Sequence, residues 1–134
     1  MAMSVPQEFR YTETHEWVKI EEGNVVTVGI TDYAQEQIGD VVSIELPAVG
    51  TEVQKGEDFC QIDSQKASEE VFAPVSGVIT EVNELLDEDV QLINTDPYDE
   101  GWIAKIEMEN PDELDELMTA EEYEEYLGTL EEEE

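Results

Sequence analysis

Hydrophobic residues in this chain come in short runs separated by turn residues, a pattern typical of β-strands. The clearest run is 24–30, in which Val26, Val28 and Ile30 occupy every second position, as in a strand with one buried face. Clusters of Gly, Pro, Asn and Asp lie between the runs and predict turns. Strands are predicted at residues 17–20, 24–30, 41–46, 58–62, 71–73, 78–82 and 102–108.

Helix signals in the first hundred residues are few and short. Thr31 is a suitable N-cap for a helix over residues 32–38, and Gly39 is a suitable stop. Residues 83–86 form at most one helical turn, and residues 94–101 consist largely of loop-forming residues.

The chain after residue 108 is predicted to be helical. Asn110 and Pro111 fit the N-cap and the first position of one helix. A second helix is predicted to begin at Thr119, where a capping box is present, and to end at Gly128. Its apolar stripe is expected to dock on the sheet. The stripe consists of Tyr123, Tyr126 and Leu127, and the capping box is completed by Glu122.

A faint internal repeat indicates two similar halves. Residues 39–45 and 77–83 each begin with Gly, continue as an apolar strand and lead to a turn. Lys66 lies near the midpoint between them, in the polar turn 63–68, and is predicted at the tip of a hairpin. The predicted fold class is therefore mostly β, a sandwich of two similar halves with a lysine-bearing hairpin and short C-terminal helices.

A lysine held at a hairpin tip is a handle for covalent attachment. The alternative is an ordinary solvated lysine, and that is our interpretation of Lys55, which lies in another turn away from the midpoint of the repeat. For Lys66 the central position favours attachment.

The chain of 134 residues carries 37 acidic and 5 basic side chains, a formal net charge of −32. The excess is not confined to the C-terminus, since residues 1–108 alone carry −19. So anionic a surface argues against nucleic acid and anionic membranes as partners. It repels itself in dilute buffer, whereas molar salt shortens the Debye length to about 3 Å. The composition therefore predicts a halophilic protein from a salty cytoplasm.

Neither catalysis nor metal binding is indicated. Cys60 is the single cysteine, which excludes an internal disulfide and a thiolate metal cluster, and it is expected in the core with Trp17 and Trp102. His15 is the single histidine and has no nearby Ser, Cys or second His, so a structural or groove-lining role is expected. Because no nucleophile–base pair, ligand cluster or EF-hand spacing is visible, a small hydrolase or metal enzyme finds no support.

Several motifs follow one another from about Tyr11 to about Leu127. They lie at residues 15–18, 28–35, 39–42, 45–47, 63–67, 74–77, 82–83, 92–94, 97–98 and 101–102. In this order they resemble the H protein of the glycine cleavage system. The lipoylation motif of that family usually reads Glu-Ser-Val-Lys-Ala, and residues 63–67 read Asp-Ser-Gln-Lys-Ala. Gln65 in place of valine is the real departure.

The resemblance implies a lipoyl-domain-like (hammerhead) fold and a carrier that is not an enzyme. Lipoate would be joined to the Lys66 amine by an amide and would carry the aminomethyl group of glycine from the glycine decarboxylase (P protein) to the aminomethyltransferase (T protein). The implied partners also include the dihydrolipoyl dehydrogenase (L protein), which reoxidises the arm, and a lipoate-attaching enzyme.

A carried aminomethyl group needs shelter from water, and its protonated amine favours an acidic, partly covered groove. For this groove we nominate Glu16, its neighbour Thr14 as a hydrogen-bond partner, and Glu70 on the strand that leaves the hairpin. The alternative is that both glutamates are solvated surface residues, and in a chain with 37 acidic residues the sequence does not decide.

Other carrier functions remain open. A biotin carrier usually places its lysine between two methionines, whereas Gln65 and Ala67 flank Lys66. A lipoyl domain of a 2-oxoacid dehydrogenase is normally joined to further domains by linkers rich in Ala and Pro. An H-like protein that relays lipoate to other enzymes would fit the same sequence, and a structural acidic module would remain if Lys66 were never modified.

The expected division is an N-terminal lead-in at residues 1–10, a single lipoyl-carrier domain with its C-terminal helices at 11–128, and an acidic tail at 129–134, whose last four residues, 131–134, are expected to be solvated and frayed. No apolar run approaches the length of a membrane-spanning or signal segment, so the expected location is the cytoplasm.

We predict that the melting temperature rises as salt is added across the molar range, because screening weakens the repulsion among the 37 acidic side chains. Thermal melts in KCl from low to molar concentration measure this. A melting temperature that stays flat across that range would contradict the interpretation of the charge as an adaptation to salt.

Overall fold

A computed structural model of the chain describes residues 5–132, with side chains as far as residue 130. Two antiparallel sheets and several short helices make up this part of the chain. The strands are β1 (Arg10–Tyr11), β2 (Glu16–Ile20), β3 (Val25–Ile30), β4 (Val41–Glu45), β5 (Glu52–Val53), β6 (Asp58–Ser64), β7 (Ser68–Phe72), β8 (Gly77–Val82) and β9 (Ala104–Met108). The helices are α1 (Asp32–Ile38), α2 (Leu85–Glu88), α3 (Leu92–Thr95), a 3₁₀-helix (Pro111–Glu116) and α4 (Ala120–Glu132).

The two sheets share one hydrophobic core. The larger sheet has the strand order β1-β2-β3-β9-β8-β5 and the smaller has β4-β6-β7. Val28 and Ile106 of the larger sheet cluster with Ile62 and Val71 of the smaller one, and all four side chains are at most 2% exposed. Burial of this apolar surface is the main stabilising contribution to the fold. The prediction of a mostly β protein is confirmed, and the two copies of the repeat form β4 and β8, one in each sheet.

A second, aromatic cluster covers the outer face of the larger sheet. Phe9 stacks on Trp17 at 4.9 Å between ring centroids, and Tyr11 stacks on Tyr123 of α4 at 4.6 Å. The predicted docking of the C-terminal helix on the sheet is thereby confirmed. The full set of buried residues in this aromatic cluster is Phe9, Tyr11, Trp17, Ala120, Tyr123 and Leu127.

The aromatic cluster changes the environment of β3. The sequence pattern predicts one buried face, yet both faces are buried, and Thr27 is only 4% exposed. The reason is that Trp17 lies directly over Gly29, where a Cβ atom would come within 2.6 Å of the indole ring. Phe9, which falls in the predicted lead-in, is also buried in this cluster. The first four residues of the lead-in lie outside the described part of the chain.

The local helix signals are confirmed in two places. Helix α1 begins after Thr31, whose side chain accepts a hydrogen bond from the backbone of Ala34, and it ends at Gly39 with a φ of 77°. The capping box before α4 is also present, because the Thr119 amide donates to the Glu122 carboxylate at 2.9 Å and the Glu122 amide donates back at 3.2 Å.

Two predictions about the C-terminal helices were wrong. The segment opened by Asn110 is a 3₁₀-helix instead of an α-helix, and α4 does not end at Gly128. It continues because Leu127 and Leu130, on either side of this glycine, both pack against the aromatic cluster. The predicted frayed end at 131–134 is helical at residues 131 and 132, and residues 133 and 134 lie outside the described part.

Between residues 5 and 132, none of the helices combines the length and hydrophobicity needed to cross a bilayer. In the same part of the chain, no three side chains of the metal-ligating types lie together in a way that could hold an ion.

Replacing Gly128 with alanine is expected to raise the free energy of unfolding by about 0.5–1 kcal/mol, because glycine inside a helix carries an entropic cost of that size. A Cβ atom at this position meets nothing within 4 Å. If Gly128 were instead the end of the helix, the same substitution would destabilise the protein. Chemical denaturation at fixed salt measures the difference.

The matched contrast is Gly77→Ala, which should lower the free energy of unfolding by about 1–3 kcal/mol, the usual cost of overpacking. Here a Cβ atom would lie 2.1 Å from the carbonyl oxygen of Glu107 on the neighbouring strand.

Candidate functional site

Lys66 is at the tip of the hairpin between β6 and β7. Asp63 pairs with Ser68 across the ladder, so residues 64–67 form the turn. The side chains of Gln65, Lys66 and Ala67 are all exposed. The position predicted for the lysine is therefore confirmed, and the unusual Gln65 is on the solvent side of the turn, where it displaces no packing.

Ser64 makes this turn stiff. Its hydroxyl donates to the Ala67 carbonyl at 3.0 Å and accepts from the amides of Ala67 and Lys66 at 3.1 and 3.3 Å. The Ser64 amide donates to the same Ala67 carbonyl at 2.8 Å. One small side chain thus satisfies most of the backbone groups that a hairpin tip would otherwise leave to water.

The base of the turn is held by a carboxylate. Asp63 accepts hydrogen bonds from the Ser68 hydroxyl at 2.6 Å and from the Gln61 amide at 3.1 Å. These hydrogen bonds hold the pKa of Asp63 below its usual value, and the one from Ser68 has the largest effect. Asp63 is only partly buried, so these hydrogen bonds tie the hairpin locally and add nothing to the core.

The hairpin also rests on the segment that follows α1. The Gln65 amide donates to the Asp40 carbonyl at 3.1 Å. Asn94 fixes that segment from the other side, since its side chain donates to the Gly39 carbonyl at 2.9 Å and accepts from the Val41 amide at 2.9 Å. Sequence reasoning placed Asn94 in a loop and missed this supporting role, for which only its presence in the matching segment 92–94 was a signal.

The amine of Lys66 is left to solvent. The aliphatic stem runs over Gly39, where a Cβ atom would lie 3.4 Å from Lys66 Cδ. Among the residues that the structure describes, the one side-chain ion pair joins Lys55 to Glu116. That contact agrees with the interpretation of Lys55 as a surface lysine. None of the described carboxylates forms an ion pair with Lys66. An exposed, unpaired amine fits covalent acylation.

A cleft of about 230 Å³ lies beside the hairpin. One wall is α1, the second is β7, and the third is the segment 14–16, so the cleft brings together all three nominated groove residues. Two wider depressions, of about 580 and 530 Å³, contain none of residues 64–70 in their walls. The cleft is lined by Thr14, His15, Glu16, Ile30, Tyr33, Ala34, Gln37, Ile38, Ile62, Glu69, Glu70 and Val71.

Glu16 is the buried carboxylate of the cleft. It is 2% exposed, which excludes the solvated alternative for this residue, whereas Glu70 is exposed at the rim. One carboxylate oxygen accepts from the hydroxyls of Thr12, at 2.5 Å, and Thr14; the other accepts from the Phe72 amide at 3.2 Å. Thr14 is thus the predicted hydrogen-bond partner, and Thr12 is a second one that sequence reasoning missed.

Burial raises the pKa of Glu16 to about 7, against the opposing effect of these hydrogen bonds, of which that from Thr12 is the largest. A carboxyl group with this pKa changes its charge near neutral pH. A cation bound beside it would favour the charged form and would itself be held by that charge. The alternation of Thr12, Thr14 and Glu16 in the sequence is the signal that could have indicated this arrangement.

His15 lines the cleft, as predicted, and is held in an unusual conformation. Its φ of 71° lies in the left-handed region, which a residue with a side chain rarely adopts. Its Nδ1 shares a hydrogen bond of 2.9 Å with the Tyr123 hydroxyl. Burial lowers the pKa of His15 to about 4, so the imidazole is neutral at pH 7.

Cys60 and the two tryptophans occupy structural positions. Cys60 is 6% exposed, and burial raises the pKa of its thiol to about 12, which makes it unreactive. Trp17 is buried and donates to the Pro97 carbonyl at 2.8 Å, and Trp102 is partly buried against the aromatic cluster.

Known proteins are similar to this chain in both sequence and structure. Residues 9–130 match the family described as Glycine cleavage H-protein. The chain belongs to that family. A glycine cleavage system H protein from Coprothermobacter proteolyticus is 49% identical over 126 residues, which cover 94% of this chain and 99% of the relative. One from Staphylococcus saprophyticus is 46% identical over 126 residues, with the same coverage.

A solved structure agrees with the sequence matches. The crystal structure of a glycine cleavage system H protein from Mycobacterium marinum superposes with a TM-score of 0.82 at 38% identity, over 93% of this chain and 98% of that one. The resemblance read from the motifs is confirmed, and with it the lipoyl-domain-like fold. As a member of the glycine cleavage H-protein family, the chain is a carrier component of the glycine cleavage system and not a catalyst.

Proposed function

We propose that Lys66 is the attachment site of lipoate, through an amide to its amine. The observation that carries this proposal is the exposed, unpaired amine at the tip of a stiff hairpin, within the family's motif at residues 63–67. When bound, the lipoyl group supplies a disulfide that accepts the aminomethyl group of glycine from the glycine decarboxylase and delivers it to the aminomethyltransferase. We call the lipoyl group that carries the aminomethyl group the loaded arm.

The residues of the chain position that arm. The turn 64–67 and its contact with Asp40 fix the point of attachment, while the side chain of Lys66 is exposed and runs over Gly39. A flexible tether on a fixed point raises the local concentration of the carried group at each partner's active site. The rigid platform and the long arm therefore have separate tasks.

The cleft is the proposed resting place of the loaded arm. Of the approximately four acceptor positions on a carboxylate, Glu16 uses two for threonine hydroxyls and one for the Phe72 amide. One position remains for an ammonium group that enters from the cleft. Thr14 orients the carboxylate, and Glu70 at the rim adds negative charge at the entrance.

The proposed partners are the P, T and L proteins of the glycine cleavage system and a lipoate-attaching enzyme. The family match supports the first three. The proposed place of action is a cytoplasm of high salt, supported by the net charge of −32. The match over residues 9–130 also supports a single carrier domain. Residues 129–132 belong to α4, so the proposed acidic tail is in part the end of that helix.

Protein isolated from its native host is expected to carry one lipoyl group, on Lys66. Intact mass and peptide mapping measure this. Lys66→Arg should abolish the added mass while keeping the positive charge, and Lys55→Arg, a change at the other turn lysine, should leave it in place. A bare Lys66 in native material, or the added mass on another residue, would overturn the proposal.

Glu16→Gln is expected to shorten the lifetime of the loaded arm, because the cleft then loses its buried negative charge. The ratio of wild-type to variant lifetime should rise with pH as Glu16 ionises, with a midpoint at or below about 7, since the bound ammonium favours the carboxylate. Below that midpoint the wild-type carboxyl is neutral like the amide, so the ratio should approach one. Hydrolysis of the loaded arm, timed between about pH 5 and about pH 8 (roughly two units below and one unit above a midpoint of about 7), measures this ratio. A ratio of one throughout removes Glu16 from the site.

A further inference from the structure

Helix α4 reaches the back of the cleft through two tyrosines. Tyr123 is fully buried, and its hydroxyl contacts His15 on the segment before β2. Tyr126 donates a hydrogen bond to the Glu13 carbonyl at 3.3 Å, and its ring lies 5.9 Å from that of His15. The C-terminal helix thus holds the turn that leads to Glu16, although α4 itself contributes no residue to the cleft wall.

The Tyr123 hydroxyl joins two parts of the chain. It shares a hydrogen bond of 2.9 Å with Nδ1 of His15 and one of 2.7 Å with the hydroxyl of Thr31. Burial raises the pKa of Tyr123, so the phenol keeps its proton. With one proton to give, it donates to at most one of these neighbours and accepts from at least one, so the three groups form a connected hydrogen-bonded chain.

Both neighbours of the Tyr123 hydroxyl, Thr31 and His15, lie where a wall of the cleft begins. Thr31 is the N-cap of α1, the first wall, and is completely buried. His15 lies between Thr14 and Glu16 on the third wall. The Thr31 amide also donates to the His15 carbonyl at 3.0 Å, so the two walls meet at this point and the Tyr123 hydroxyl closes the junction.

We propose that Tyr123 is a positioning residue of the carrier, whose hydroxyl fixes the spacing between α1 and the segment 12–16 and thereby the orientation of the Glu16 carboxylate. The left-handed conformation of His15 needs such support, because it is unfavourable for a residue with a side chain and persists only when its surroundings hold it. The Thr12 and Thr14 hydroxyls that hold Glu16 belong to the same turn, so a loosened His15 misplaces them as well.

The inference rests on the proposed function only where the cleft is said to shelter the loaded arm. The geometry itself is testable on unmodified protein. Tyr123→Phe removes the hydroxyl and keeps the ring that stacks on Tyr11. Tyr11→Phe is the matched control, because it removes another buried hydroxyl of the same stack, one that donates to the Pro6 carbonyl at 2.6 Å, away from the cleft.

Amide hydrogen exchange measures how often the segment 12–16 and its junction with α1 open. The amides of His15, Glu16 and Thr31 are each hydrogen-bonded at the junction, to the Thr12 carbonyl, the Thr12 hydroxyl and the His15 carbonyl. In Tyr123→Phe they should exchange about tenfold faster relative to the amides of β3, which report global unfolding in the same sample. In Tyr11→Phe the relative rates should stay as in the wild type. Equal behaviour of the two variants would overturn the inference.

The lifetime of the loaded arm gives a second readout. It should fall in Tyr123→Phe and remain unchanged in Tyr11→Phe. If Glu16→Gln shortens the lifetime and Tyr123→Phe does not, the cleft works without the tyrosine and the inference is wrong. If neither variant alters the lifetime, the failure lies with the proposed function of the cleft, and the exchange rates alone decide whether Tyr123 positions the segment.

Discussion

The site depends on a turn that is fixed by hydrogen bonds instead of by side-chain packing. A hairpin tip has no core of its own, so residues 64–67 are held by the Ser64 hydroxyl, by the Asp40 carbonyl and, one step further, by Asn94. This allows Lys66 to be fixed at its backbone and exposed along its side chain. A tip buried by apolar contacts would have been equally stiff but would have hidden the amine, whereas a flexible loop would have left the arm without a defined origin.

Glu16 connects the two sheets and is also the buried carboxylate of the cleft. It lies on β2 of the larger sheet and accepts a hydrogen bond from Phe72 at the end of β7 in the smaller sheet, so it ties the two sheets together beside the cleft. Burying a charge is unfavourable, and three hydrogen bonds offset part of that cost. The part of the cost that the hydrogen bonds do not offset raises the pKa of Glu16 to about 7. A cation bound beside the carboxylate would offset the same imbalance, because Glu16 lacks a buried positive partner among the described residues.

The features that could be predicted from the sequence are those set by neighbouring residues. The hairpin around Lys66 and the helix from Asp32 to Ile38 follow from turn and capping signals a few positions away. The cleft could not be assembled in this way, since its walls come from segments near residues 15, 35 and 70, and the tyrosine behind them is 108 positions from His15. The prediction that α4 ends at Gly128 was wrong for the same reason. Packing on the aromatic cluster, whose residues are distant in sequence, overrode a local stop signal.

Helix α4 links the charge of the protein to the geometry of the cleft. Its first turn carries Glu121 and Glu122, which suit the positive end of the helix dipole, but its last turn has no basic residue to balance the negative end. The buried part of its attachment uses apolar contacts and neutral hydroxyls, through Tyr123 and Leu127, and these are insensitive to screening. Salt therefore weakens the repulsion that opposes docking of α4 and leaves the contacts that favour it intact. The segregation of acidic residues to the outer face and aromatic residues to the inner face lets a strongly charged helix hold the turn behind the cleft without an ion pair among the described residues.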